Sequence, residues 1–524
     1  MFVLNSIVQK YLSKSKNGVL YCCFIDFSTA FDLIQRSKLF YLLIKNGMHG
    51  RMYNLLYNMY KCTISKVRAG GTCSEEFECF SGVKQGCILS PWLFGIYINE
   101  LALMLRSDCR SGIFINQCVE DVFILLFADD ISLVADTIGG LQNRLDILDT
   151  YCSKWNMKVN LVKSQVVVFK NGGILSKHEK WYYQGNLIDV VSHYKYLGII
   201  FSNRLKWNLC CKTLSLQATK ALNCIKLCIS KLGQRNVKIA FKLFDSMVGP
   251  ILYYGAEIWG TELKPDIENV QNKFCKWLLC TGMKTTNAIA RAECGRLELY
   301  VNYVIKPIKY FLTIQSMSDN RLPKLCYRML YEHDLHGRLN WCSSVRVILF
   351  SSGFGHVWMQ QGVGDVKQFL TCFRQRIRDI NFQNWQTYIS QSPRCEFYHK
   401  IKSSMYSESY LSSSLSHKLR FCLANLRCST HHLEIEQGRH HNVTREERIC
   451  SICNRKQLGN ELHFILFCPI LKDLRANFLP TWLTKHPTEE NAIKLFKCQD
   501  SSIVRSLSIY ICKAMELRSE ILQP

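Results

Sequence analysis

The sequence predicts a mixed α/β or α+β N-terminal region followed by a mainly helical remainder, and three observations predict it. Up to about Arg204, short apolar strand-like runs alternate with helical stretches. One such run, Tyr21 to Phe27, ends in an acid, and two others, Phe123–Phe127 and Ile131–Ala135, are pinched around Asp129 and Asp130 as in a hairpin. From about Lys206 the apolar residues recur instead at three- and four-residue steps.

Taken in order, Met1 to Lys16 mixes Asn5, Gln9, Lys10 and Lys14 among apolar residues, which predicts an amphipathic helix rather than a signal core. The strand and the hairpin follow. Beyond them Leu214, Ala218, Ala221, Ile225, Cys228 and Leu232 form one stripe, with Lys212, Lys220, Lys226 and Lys231 off it. That is an amphipathic helix with a basic outer face, stopping near Gly233. A second helical stretch, Val237 to Trp259, is expected to kink or break at Pro250 and Gly255. Ser351–Gly355 and Ser403–Ser416 read as loops or linker, and a compact element lies between Arg445 and Arg475.

A chain of 524 residues should hold two to four domains. With 48% hydrophobic and 20% charged residues it is globular, which excludes a collagen, a coiled coil or a mostly disordered chain. No internal repeat stands out. The net charge of +25 calls for a polyanionic partner, with nucleic acid the leading candidate. A membrane is the competing partner, but no run of 18 or more apolar residues exists to span one. The 27 cysteines are scattered and odd in number, and many, such as Cys22, Cys23, Cys224 and Cys228, sit in apolar stretches. They are expected to be reduced thiols packed as small hydrophobes.

Three acids stand in unfavourable surroundings. Asp26 closes an apolar run, and Asp129 and Asp130 are adjacent between two more. A carboxylate so placed must pair, accept hydrogen bonds or bind a cation. Oxygen-only ligands suit Mg²⁺, and two such ions support phosphoryl transfer. On its own an Asp-Asp pair is also ordinary turn chemistry.

The neighbouring residues tip that balance. Phe24-Ile-Asp26-Phe-Ser-Thr-Ala-Phe31-Asp32, then Ser81-Gly-Val-Lys-Gln85-Gly86-Cys-Ile-Leu-Ser90-Pro91-Trp-Leu-Phe94, then Leu126-Phe-Ala-Asp129-Asp130 follow one another in the chain. Trp155-Asn-Met-Lys-Val-Asn160-Leu-Val-Lys163-Ser and Tyr194-Lys-Tyr196-Leu197-Gly198 come next. These five blocks, in this order, resemble the reverse transcriptases of non-LTR (LINE-type) retrotransposons. The resemblance covers roughly Val19 to Phe201, and Pro250-Ile-Leu-Tyr-Tyr-Gly255-Ala-Glu-Ile-Trp259 is similar to the family's thumb.

The resemblance implies an α+β right-hand polymerase: an antiparallel palm sheet with packed helices and residual fingers (1–205) and a helical thumb (206–320). A helical connector (321–444), a Cys/His knuckle (445–475) and a helical tail (476–524) complete the expected organisation. It implies an RNA-directed DNA polymerase that uses Mg²⁺ or Mn²⁺, an RNA template, a DNA primer and dNTPs, with target DNA as a further partner. The implied location is intracellular, in nucleus or cytoplasm. Asp26, Asp129 and Asp130 would be its catalytic, metal-binding carboxylates, joined by the backbone carbonyl of Phe27. Phe31 would be the gate against a 2′-hydroxyl. Gln85 and Gly86 would approach nucleotide and template, and Lys163 would donate a proton to, or neutralise, the pyrophosphate. Tyr196, Leu197 and Gly198 would grip the primer end. Only about 25 residues precede Asp26, so most of the family's fingers and any endonuclease are expected to be missing. The alternative is an inactive remnant that binds nucleic acid through thumb and knuckle. The Phe-Ala-Asp-Asp box and Phe31 argue against an RNA-dependent RNA polymerase, and the thumb and Cys/His pattern against an intron maturase.

Cys450-x2-Cys453-x9-His463-x4-Cys468 has the close-pair spacing of a tetrahedral Zn²⁺ site. His440 and His441 are rival ligands with poorer spacing, and Arg445, Arg448 and Arg455 surround the element. The segment also resembles the C-terminal Cys/His motif of the same family. A small basic knuckle of this kind is suited to gripping single strands.

Overall fold

The structure is a computed structural model that describes residues 1–13, 18–108, 112–115, 122–231, 236–412 and 415–522. The chain divides into two compact units: 1–210 with 313–347, and 211–312 with 348–524.

The first unit begins with α1 (Phe2–Leu12) and β1 (Val19–Ile25), followed by α2 (Arg36–Lys45) and α3 (Gly50–Lys61). Four two-residue strands come next: β2 (Ile64–Ser65), β3 (Arg68–Ala69), β4 (Thr72–Cys73) and β5 (Phe77–Glu78). They are followed by α4 (Ser90–Asp108), β6 (Ile124–Phe127), β7 (Asp130–Ala135), α5 (Ile138–Trp155) and β8 (Gln165–Lys170). The run ends with β9 (Tyr182–Tyr183), β10 (Asn186–Leu187), β11 (Asp189–Val191), β12 (His193–Tyr196) and β13 (Ile199–Ser202). The main sheet has the order β11-β8-β1-β7-β6. It is antiparallel except at its edge, where β11 runs parallel to β8.

β1 lies in the middle of this sheet, which is why it reads as an unbroken apolar run instead of an alternating one. On one face Tyr21, Cys23 and Ile25 join Ile131, Leu133, Val166 and Val168 in a core completed by α4 and α5. On the other, α1 packs on β8 and β1. Burying a side chain such as Leu20 or Phe24 contributes about 1.5–3 kcal/mol.

α1 was expected to be amphipathic, yet it is buried nearly all round, with Phe2, Leu4, Asn5, Ser6, Ile7, Val8 and Tyr11 inside. The second layer over it is the helix Leu322–Leu335 and its successor. Phe2 meets Trp341 edge-on at 5.0 Å, and Gln9 accepts the Trp341 N–H at 3.1 Å. This packing draws 313–347 into the first unit, so the connector expected over 321–444 is divided between the two.

In the second unit, α6 (Asn208–Lys231) buries Leu214, Ala218, Leu222, Ile225 and Ile229. The predicted stripe shares three of these but is rotated at Ala221 and Cys228, where the larger Leu222 and Ile229 take the inward positions. Cys224 and Cys228 are exposed, against expectation, while Cys22 and Cys23 are buried. Leu232 and Gly233 lie outside the described residues. The next stretch breaks as Pro250 and Gly255 demand. It runs as Val237–Leu243, a π-helical turn Phe244–Val248, Gly249–Leu252 and Ala256–Trp259, with Gly255 at φ +67°. Helices dominate the rest, ending in Ser501–Leu522. Among the described residues, no helix is long and apolar enough to cross a membrane.

Candidate active site and metal centre

Asp26 directly follows β1, and the register of that strand decides its surroundings. Ile25 pairs with Ile131 of β7, so the next rung sets Asp26 across from Asp130. Asp130 in turn pairs with Phe127 of β6, which leaves Ala128 and Asp129 as a two-residue hairpin loop. The expectation placed both acids in the turn; Asp130 instead opens the strand. Ala128 holds φ +52°, the left-handed region that a side chain occupies only at a cost. The turn leaves Asp129 next to Asp130, near enough for its charge to act on that carboxyl. Burial, then the charges of Asp129 and Asp26, push the Asp130 carboxyl above its ordinary range. Asp26 and Asp129 thus both act on Asp130, and oxygen-donor side chains at neighbouring strand ends are of the type a hard divalent cation takes.

The backbone around Asp26 is tied to the 158–164 segment. Asn160 N–H donates to the Asp26 carbonyl at 2.8 Å, Ser28 N–H to Lys158 at 2.8 Å, and Asp26 N–H to Ser164 Oγ at 3.1 Å. These bonds flank the isolated Phe27–Val159 bridge, so the Phe27 carbonyl points to the opposite edge, toward β7 and the paired acids. Lys163 Nζ stands 3.6 Å from Asp26 Oδ2 and is mostly exposed.

Phe31 is half-buried, its ring stacked on Phe94 of α4 at 5.0 Å. Gly82 N–H donates to Ile34 and Val83 N–H to Phe31, both at 2.9 Å, so the second block crosses directly over the first. A Cβ at Gly82 would meet the Asp32 Cα at 2.9 Å, and its φ of +81° also requires glycine. Gln85 Nε2 donates to both Asp32 oxygens, at 3.2 and 3.3 Å, which fixes its amide on the first block. Gly86, at φ +81°, has open space in front of it.

β12 and β13 form a hairpin whose turn, Leu197–Gly198, has both residues at positive φ. This hairpin lies on the sheet face that carries Asp26 and Asp130. Tyr194 stacks on Phe24 at 4.3 Å, and Tyr196 packs on Phe24 at 5.3 Å. Tyr196 is 3% exposed, so its ring braces the hairpin, and the turn residues are what it presents outward. Burial, with Asp26 and Asp130 adding to it, pushes the Tyr194 hydroxyl up to about 12.

Several of these positions were missed in the sequence. Arg36 donates to the carbonyls of Gly82, Tyr60, Cys79 and Ser81 at 2.6–3.1 Å and pins the second block to α3. No motif signalled it. Gly82 and Tyr194 lay inside the recognised blocks without an assigned role.

In the second unit the predicted Cys450, Cys453, His463 and Cys468 do come together, all buried, with their donor atoms within 4.8 Å of one another. A short hairpin supplies the first pair: Ile449 bridges Leu458, and Cys450 N–H donates to Gln457 at 2.9 Å. A π-helical turn, His463–Phe467, supplies the others. His463 Nε2 faces Cys453 Sγ at 3.4 Å, while its Nδ1 is bonded to Gln457 Oε1 at 3.0 Å. That bond leaves Nε2 free as a ligand. The Cys450 thiol is held down to about 3, chiefly by the Cys468 sulfur and also by His463. Three thiols and one imidazole at this separation fit tetrahedral Zn²⁺. His440 and His441 are exposed and stand outside the cluster. Arg448 is spent on the Val443 and Ile435 carbonyls and Arg445 on Glu396, so of the three flanking arginines only Arg455 faces solvent without such a bond.

Residues 3–201 match the family described as reverse transcriptase (RNA-dependent DNA polymerase). The chain is 23% identical over 255 residues to the RNA-directed DNA polymerase from mobile element jockey of Drosophila funebris, covering 48% of this chain and 27% of that protein. It is 31% identical over 150 residues to the Pol polyprotein from type-2 retrotransposable element R2DM of Drosophila melanogaster (29% and 14%). A type-1 element R2 polyprotein of Popillia japonica is 26% identical over 219 residues (38% and 30%). The chain thus spans less than a third of the length of these relatives. The stretch 3–201 therefore matches a reverse transcriptase domain and is similar to those of retrotransposable elements.

Proposed function

We propose that the chain is the polymerase of a retrotransposable element, extending a DNA primer on an RNA template from dNTPs. The observation that carries this is the strand register that sets Asp26 across from Asp130 with Asp129 on the adjoining turn. Asp26, Asp129, Asp130 and the Phe27 carbonyl would hold Mg²⁺ or Mn²⁺. Such ions, when bound, activate the attacking hydroxyl and stabilise the leaving oxygen in phosphoryl transfer.

The remaining roles belong to the protein's own side chains. Phe31, fixed against Phe94, excludes a 2′-hydroxyl by bulk. Gln85, oriented by Asp32, hydrogen-bonds at the nucleotide and template edge, and Gly86 leaves room for close approach. Lys163 carries a positive charge beside Asp26, placed to neutralise or protonate the departing pyrophosphate. The Leu197–Gly198 turn, braced by Tyr196, supports the primer end. Cys450, Cys453, His463 and Cys468 bind Zn²⁺, which contributes folding free energy to the C-terminal element. That element serves nucleic-acid binding, with Arg455 and Lys456 exposed on its turn.

Primer extension on poly(rA)–oligo(dT) with Mg²⁺ tests the proposal, with Asp130→Asn as the control. Extension by the wild type and its loss in the variant support it. No extension under any divalent cation, with strand binding retained, would replace it by a binding protein without chemistry.

A further inference from the structure

The second unit contains a cleft of about 840 Å³, away from the Cys/His centre, that none of the roles above uses. One wall is the helix Val366–Gln391, which presents Arg374, Arg378 and Phe382 at successive four-residue steps. Residues so spaced lie on one face, about 6 Å apart along the axis. Both arginines are exposed, and neither has an ion-pair partner among the described residues. The nearby acid Asp379 is bonded by Gln375 at 2.8 Å instead. Two like charges one turn apart repel, and an anion lying across them would remove that cost.

The lining of the same cleft also carries an aromatic ring held out in the open. Tyr406 is 80% exposed, yet its backbone is fixed. Cys294 bridges Ser407, Glu408 N–H donates to Glu293 at 3.1 Å, and Lys402 Nζ donates to the Tyr406 carbonyl at 2.6 Å. A Cβ on Gly295 would come within 2.4 Å of Ser407 N, so the two segments touch backbone to backbone. A large ring exposed on a rigid strap is preorganised to stack on a flat ligand.

Cations at a helical step and a rigid exposed ring lining one cleft match the chemistry of a polynucleotide strand, which offers phosphates and base faces together. A duplex hides its base faces and would leave the ring unused. We propose that this cleft binds a single-stranded segment of nucleic acid, its phosphates on Arg374 and Arg378 and one base stacked on Tyr406.

The test is fluorescence anisotropy on the full chain without divalent cation or dNTPs, using labelled oligo(U), labelled oligo(dT) and an RNA–DNA duplex of the same length. Reversing both arginines (R374E with R378E) should weaken single-strand binding about tenfold or more and lower the salt slope by about 1.4. The duplex should change by less than about twofold, since its contacts lie elsewhere. Tyr406→Ala should weaken single-strand binding about fivefold or more. A response with both oligonucleotides marks a site for either sugar, and a response with one assigns the cleft to RNA or to DNA. Unchanged affinity in the arginine variant, equal weakening of duplex and single strand, or no effect of Tyr406→Ala would each overturn the proposal. All the substituted side chains are exposed, and a circular dichroism melt verifies folding. None touches the carboxylates, so a failure here is separable from a failure of primer extension.

Discussion

Phe24 and Tyr194 lie face to face, with ring centroids 4.3 Å apart and planes within 8° of parallel. Phe24 stands two residues before Asp26 on β1, so the stack fastens the β12–β13 hairpin to the sheet face that bears the carboxylates. Lys163 joins the same assembly through its carbonyl, which accepts from the Tyr194 hydroxyl at 3.3 Å.

Tyr194→Ala removes that fastening. The lost packing should destabilise the first unit by about 2 kcal/mol. The larger effect should fall on chemistry, because a hairpin displaced by about 1 Å costs up to about a hundredfold in rate. Tyr194→Phe keeps the stack and should retain most of the activity. Steady-state primer extension by the two variants, with a thermal melt of each, checks this; equal losses would assign the effect to the hydroxyl.

The joint between the first two blocks gives a second prediction. The Arg36 guanidinium satisfies four carbonyls, and burial depresses its pKa, so these contacts are its main compensation. Lysine cannot reproduce a planar fork. Arg36→Lys should cost about 2–3 kcal/mol through carbonyls left unsatisfied. Gly82→Ala should be similarly damaging, about 1–3 kcal/mol from its positive φ alone, before the Cβ displaces Asp32. Denaturant unfolding compares them. Both should also raise KM for dNTPs more than for the primer, because Gln85 hangs from Asp32.

How far these features were legible differs by kind. The acid at the end of β1 and the pinched hairpin could be read because central-strand burial and a carboxylate at a strand end leave local marks. The Cys/His set could be read because close-pair spacing is itself the signal. Arg36 could not, since its four partners are backbone carbonyls, and carbonyls have no sequence. The rotated stripe on α6 shows another limit. Ala221 and Leu222 both fit a helical step, and only tertiary packing decides which turns inward. The assignment of 313–347 to the first unit escaped for the same reason, resting on Phe2 and Trp341, more than three hundred residues apart.

The Cys/His centre yields a third prediction. Gln457 accepts from His463 Nδ1 and its backbone carbonyl accepts from Cys450 N–H, so it orients one of the four proposed donors and closes the hairpin of another. Gln457→Ala should lower zinc affinity about 10–100-fold while leaving all four donors in place. Cys453→Ser should abolish stoichiometric zinc, measured by plasma mass spectrometry of the purified chain. A chelator should unfold the 445–475 element in the wild type, seen as faster amide exchange there, with little change in the sheet of the first unit.

The last prediction concerns pH and lies in the second unit, at Glu268. This carboxylate is buried and accepts the N–H groups of Leu299 and Tyr300 at 2.8 and 2.7 Å. Burial raises its pKa from 4.5 to about 7, against the lowering effect of those bonds and of Arg291. The folded state therefore holds this proton more tightly than the unfolded chain. Its stabilising contribution is complete below about 4.5 and is lost as pH rises through about 7. A shift of that size corresponds to about 3 kcal/mol. Glu268→Gln keeps the volume and cannot ionise, but it offers one acceptor oxygen where two N–H groups need partners. The variant should be less stable than the wild type at pH 4 by about 1 kcal/mol, one lost hydrogen bond. It should lack the wild type's decline between about pH 4.5 and 7, so the two stability curves converge or cross there. Urea unfolding across that range, followed by tryptophan fluorescence, measures both; parallel curves would show that the Glu268 carboxyl is already ionised in the folded chain at pH 6.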